Sequence, residues 1–238
     1  MSLSSVAEAM EPPWLDRGEV SRCDDLFLLG HDDTGHPHVH RQTLILGLAG
    51  AVLIDWYLAG RVTLYPNIDT HAADHQRIHP HIDRPVGDLI ADATAATIRN
   101  AHPLLSMWLR AFSPTRTTAP SPTCSLAGSC ASAPDGASAG LMRADTYLPS
   151  DSKWAVIARS RLRYLAAGHE QPNDHSAALA GLVTDLGLTD HLYLDDETPA
   201  MTSRLRATAA QHYQPVRDIT AAVDAAVDAA VGDLATAT

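Results

Sequence analysis

Residues 43–60 read TLILGLAGAVLIDWYLAG, and the fold turns on how that run is read. From Leu44 to Ile54 it carries no polar side chain, and it meets Asp55 next. That is well short of the roughly 20 apolar residues needed to span a bilayer. A helix apolar nearly all round belongs inside a protein core. Gly47, Ala49, Gly50 and Ala51 are small enough to let a neighbouring helix come close. Gly60, just past the last apolar turn, suits a helix C-cap. RVTLY, residues 61–65, follows as a short strand.

Upstream, DDLFLLGHDDTGHPHVHRQ (24–42) reads as a short apolar element, a tight turn at DDTG and an alternating stretch. Downstream, residues 66–84 read as a polar loop, and PVGDLIADATAATIRN (85–100) opens a helix at Pro85. Leu105, Trp108, Leu109 and Phe112 then recur at helical spacing. Farther on, Trp154, Ile157, Ala158, Leu162 and Leu165 share one helical face that Gly168 ends. PNDHSAALAGLVTDLG (172–187) begins another helix with Asp174 or Ser176 as its N-cap. A further helix starts at Thr198-Pro199 and contains Arg204 and Arg206. AAVDAAVDAAVGDL (221–234) aligns Val223, Val227 and Val231 in an amphipathic helix. The class is mainly α: a central apolar helix bundle wrapped by amphipathic helices, with short β-hairpins.

One segment breaks the pattern. PTRTTAPSPTCSLAGSCASAPDGASAG (114–140) has one large aliphatic residue, Leu126, and two charges, Arg116 and Asp135. It buries too little apolar surface to offset its ordering entropy, so it is expected to be disordered. Natural drift and a pair of compensating frameshifts both account for it. Residues 1–22 are expected to form a disordered tail, and 23–238 one domain interrupted by that segment.

A chain of 238 residues allows one sizeable domain, and with 5% aromatic residues its core must come from Leu, Ile, Val and Ala. Lys153 is the single lysine among many arginines, a composition that suggests a GC-rich bacterial genome. The net charge of −11 repels nucleic acid, so no nucleic-acid partner is expected, and an anionic ligand needs a local basic pocket. The N-terminus lacks the basic start and apolar core of a signal peptide, and cysteines at 23, 124 and 130 make no disulfide framework. A cytoplasmic protein without a transmembrane segment is expected.

Histidine is the most suggestive residue type. His36, His38 and His40, in an extended stretch, would share a face as metal ligands do, and His71, His75, His79 and His81 form a second group. Neither matches a recognised zinc pattern, so solvated loops are the preferred reading, with no metal and no cofactor. Cys124 and Cys130 have no histidine partners at metal-ligand spacing. No phosphate-binding glycine loop or nucleophile elbow is present, and nothing points to an enzyme. Two charges sit where apolar residues belong, Asp55 and Arg161. The economical reading is a buried ion pair between elements, because a lone buried charge is very costly. The alternative is that Arg161, with Arg159 or Arg163, lines an anion pocket.

GLAGAVLIDWYLAGRVTL (47–64), preceded by DDLFLLGHDDTG (24–35), resembles the signature region of the Golgi phosphoprotein 3-like family, actinobacterial members included. LLSMWLRAF (104–112), LMRADTYLP (141–149), ARSRLRYLAAGHEQPNDHSAALAGLV (158–183) and LGLTDHLYLDD (186–196) agree in order and spacing. The resemblance implies one mainly helical domain and a peripheral membrane protein that binds phosphatidylinositol 4-phosphate. In eukaryotic members it also implies an adaptor for Golgi cargo. The family's headgroup tryptophan falls near His40 here and its first arginine at Ala49, so neither matches. The family's i, i+3 arginine pair falls within 114–140, where Arg116 is the one base. The nearest basic candidates for an anionic phospholipid headgroup are Arg41, Arg110, Arg159, Arg161 and Arg163. On this reading the protein lies at the inner face of the membrane. The alternative is a soluble scaffold of the same fold that has lost lipid binding and acts through a protein partner or self-association.

Overall fold

A computed structural model of the chain describes residues 22–65, 76–81, 98–99, 103–110, 131–132, 147–148, 153–192, 198–211 and 214–236. Residues 1–21 of the expected tail, the helix from Pro85 up to Ile98, Phe112 and nearly all of 114–140 lie outside them. Arg22, read as the last residue of the tail, instead opens the first helix. Within that last stretch only Ala131–Ser132 is described. It pairs antiparallel with Tyr147–Leu148, so at those two residues a strand replaces the expected disorder.

The apolar run forms the helix expected of it. We label the opening helix α1 (Arg22–Leu29) and the long apolar one α2 (Arg41–Leu58). α2 is buried along most of its length, and α1 packs against it. His40 begins α2, its side chain accepting from the Gln42 amide at 3.3 Å. The helix ends as its glycine promised: Gly60 takes φ +67°, and the Arg61 amide donates back to the Trp56 carbonyl at 2.8 Å. The small residues along it are functional in packing. A side chain at Gly50 would meet Val223 Cγ2 at 2.5 Å, and one at Gly47 would run into Leu186.

β1 (Val62–Tyr65) pairs antiparallel with β2 (Arg77–Pro80), with Thr63 opposite His79 and Tyr65 opposite Arg77. β2 corrects the reading of 66–84 as one polar loop. Its apolar content is a single fully buried residue, Ile78, between exposed Arg77 and His79. One inward side chain is too short a pattern to register as alternation. The second edge of β2 is also held: the Ile78 amide donates to Pro103 O at 3.0 Å, and Leu105 donates to Gln76 O at 2.7 Å.

α3 (Leu105–Arg110) follows, with Leu105, Trp108 and Leu109 buried. β3 (Ala131–Ser132) and β4 (Tyr147–Leu148) precede α4 (Lys153–Ala167) and α5 (Asp174–Asp185). The N-cap of α5 is Asn173, correcting Asp174 or Ser176. Its side chain accepts from the Ser176 amide at 2.8 Å, and Ser176 Oγ receives the Asn173 amide at 3.0 Å, a reciprocal capping box. A 3₁₀ turn (Thr189–Leu192), α6 (Thr198–Ala210) and α7 (Gln214–Thr236) complete the described chain.

α1, α5 and α7 all pack on α2, while α4 and α6 pack outside α5, so the apolar helix is the centre of a mainly helical bundle. One continuous core runs from Cys23 to Val227. The three cysteines were expected to make no disulfide framework, yet Cys23 is disulfide-bonded. The valine stripe of α7 also stops early, because Val223 and Val227 are buried but Val231 is 54% exposed.

Candidate functional site

Charge gathers where α1 and the loop after it meet α4, α5 and the 3₁₀ turn. α1 begins with Asp24 and Asp25 in its first turn, where carboxylates suit the helix dipole. Both are buried. Asp25 Oδ2 accepts from Arg161 Nη1 at 3.4 Å and lies 3.1 Å from His175 Nε2, so α4 and α5 are tied to α1 through one carboxylate. Arg161 is therefore held by an ion pair between elements, as the economical reading required. Asp55 is held likewise by Arg22: the guanidinium bonds Oδ1, and the Arg22 amide donates to Oδ2 at 3.1 Å.

The loop from Gly30 to His40 is built by Asp32. Its Oδ1 accepts from the Thr34 amide at 2.8 Å, the Thr34 hydroxyl at 2.6 Å and the His36 amide at 2.9 Å. The Thr34 hydroxyl bond, assisted by the two amides, pulls the Asp32 carboxyl down to about 2. This fold disperses the three imidazoles that an extended stretch would have put on one face. His36 turns to Thr34 Oγ1 at 2.8 Å, His40 caps α2, and His38 stacks on His191 of the 3₁₀ turn with ring centres 4.1 Å apart. Burial, reinforced by the neighbouring His191, pushes the His38 pKa down. His31 is lowered too, mainly by burial, although its Nδ1 lies 2.7 Å from the Phe27 carbonyl. Among the described residues no group of three or more potential ligands stands close enough to hold a metal ion.

The five basic candidates are distributed over three elements. Arg41 is the exposed first residue of α2, and Arg110 the exposed last residue of α3. The other three lie on α4. Arg159 leans on Asp33 of the loop at 3.7 Å with its side chain largely covered, Arg161 is bound to Asp25, and Arg163 is exposed. Arg163 lies on the solvent side of α4 with two large apolar residues, Val156 at 56% and Tyr164 at 50% exposed. Positions 156, 160, 163, 164 and 167 fall on one helical face, so a cation and two apolar side chains share that outer surface. Tyr164 meets His169, past the end of α4, edge to face at 5.8 Å.

The roles of Asp25, His175 and His191 were not legible in the sequence. Each acts through a partner distant in the chain, and no local spacing marks it. No helix among the described residues is long and apolar enough to cross a membrane.

The family model described as Golgi phosphoprotein 3 (GPP34) matches residues 23–234. No curated protein matches the chain.

Proposed function

The chain belongs to the Golgi phosphoprotein 3 (GPP34) family, and from that premise we propose that it is a peripheral membrane protein of the cytoplasm. On this reading it binds an anionic phospholipid headgroup of the phosphatidylinositol 4-phosphate type at the inner face of the membrane, and it binds without catalysing a reaction. The observation that carries the reading is the outer face of α4, where Arg163 stands with Val156 and Tyr164. Apolar side chains enter the headgroup boundary, a tyrosine suits that boundary, and a guanidinium pairs with phosphate oxygens. The contact must be local, since a net charge of −11 repels an anionic surface on average.

A specific observation favours the second reading, a soluble interaction scaffold of the same fold. Arg159 and Arg161 already face Asp33 and Asp25, which leaves less positive charge on α4 than the sequence advertises. Flotation of the full chain with vesicles of phosphatidylcholine, alone or with phosphatidylinositol or phosphatidylinositol 4-phosphate, separates the two. The lipid reading expects flotation that rises with phosphoinositide content, and a loss of about tenfold for Arg163→Glu combined with Tyr164→Ser. Flotation indifferent to the headgroup, or none, leaves the scaffold.

A further inference from the structure

The histidines that the function does not absorb are those of β2. Along that strand Arg77, His79 and His81 fall on the exposed side, while Ile78 is buried in the core. His81 lies one residue past the strand, and its amide donates to Arg61 O at 2.7 Å, which continues the pairing with β1 by one step. The two imidazoles thus stand at i and i+2 on the same face of extended backbone, with ring centres 5.3 Å apart at 67°. Metal–nitrogen bonds of about 2.1 Å at a near-tetrahedral angle put two ligating ring centres roughly 5 Å apart. The geometry points to a surface site for a borderline divalent transition ion, with His79 and His81 as its ligands among the described residues.

Three features prepare this pair. Pro80 between the histidines fixes its own φ and confines His79 to extended conformations. β2 pairs with β1 through Pro80, and the 103–105 segment holds its other edge at Gln76 and Ile78, which anchors the strand that carries the rings. Thr63, across the ladder from His79, lies with Oγ1 2.6 Å from His81 Nε2. With that hydroxyl accepting from Nε2–H, the lone pair of His81 is on Nδ1, the arrangement by which an outer hydrogen bond orients a metal-ligating histidine. Imidazole ligands suit copper, nickel and zinc, and the stability order of divalent ions puts copper(II) first. The site is independent of lipid binding.

The test is calorimetric titration of the full chain with copper(II) and with zinc(II). His79→Ala and His81→Ala each weaken the tightest copper phase at least about tenfold, because chelation by two linked ligands is lost. Thr63→Val weakens it several-fold. His169→Ala leaves that phase in place and controls for general loss of imidazole. All four positions lie at the surface or partly exposed, and circular dichroism checks that each variant keeps its fold. A tightest phase unchanged in the His79→Ala/His81→Ala double variant overturns the assignment, as does a wild-type chain that binds copper no more tightly than that double variant.

Discussion

Asp55 is the single acid on α2. The cation arrives from 33 residues upstream, where Arg22 supplies both its guanidinium and its backbone amide. Removing one member of such a pair leaves the other with its charge uncompensated and poorly solvated. Asp55→Ala is therefore expected to cost about 3 kcal/mol, measured by urea unfolding. Arg22→Met combined with Asp55→Leu should restore most of that loss, since two apolar side chains need no partner. A double variant as unstable as the single one would show that the pair is not what holds α1 to α2. The sequence marked Asp55 and Arg161 as charges requiring partners. It did not tell that Asp55 takes Arg22 and Arg161 takes Asp25, because pairing is settled by which helices pack.

At the scale of elements, the close approach to α2 is the sharpest consequence of its small residues. Alanine has the better helix propensity, by about 1 kcal/mol over glycine. Yet a Cβ at residue 50 would stand 2.5 Å from Val223 Cγ2, so Gly50→Ala is expected to destabilise the protein by about 1–3 kcal/mol despite that gain. Val223→Ala in the same chain should relieve part of the clash, and an additive double variant in thermal unfolding would contradict it. The capping box on α5 makes a gentler prediction. Asn173→Ala should cost about 1 kcal/mol, with Ser176→Ala in the same chain adding less than it costs alone. α2, α4, α6 and α7 were legible in the sequence because long periodic or continuously apolar segments declare themselves. β2 was not, since its one inward side chain, Ile78, sits among histidines and an arginine that resemble a loop.

Across the whole molecule, stability should vary with pH through groups that pull in opposite directions. Asp185 of α5 is raised to about 6, first by burial and then by Asp224 of α7, against the opposing pull of Arg206 on α6. Its stabilising contribution is complete below the unfolded value of 3.8 and is lost as pH rises through about 6. His31 and His38 are lowered from 6.5, so their contribution is complete above that value and is lost as pH falls through their folded values. Asp32, lowered to about 2, adds a loss confined to pH below 3.8. Asp185→Asn keeps a neutral side chain at every pH. It should unfold at a higher temperature than the wild type at pH 7.5, and that advantage should vanish by about pH 4. A difference in melting temperature that does not change between those two values would remove Asp185 as the titrating group.

The amino-acid sequence by itself determined the mainly helical class, the buried central helix with its glycine stop, and the family resemblance that the match over 23–234 bears out. Those properties are written in local spacing and side-chain size. Tertiary structure alone decided which aspartates the neighbouring arginines meet and how far each arginine is exposed. Arg159, Arg161 and Arg163 are near-neighbours in the chain, yet two are turned towards aspartates and one towards solvent. His36, His38 and His40, read with the second group as solvated loops, are dispersed, while His79 and His81 are placed side by side. The reason is physical: a side chain's direction follows from the packing of its element, and that packing is set by residues far away in sequence.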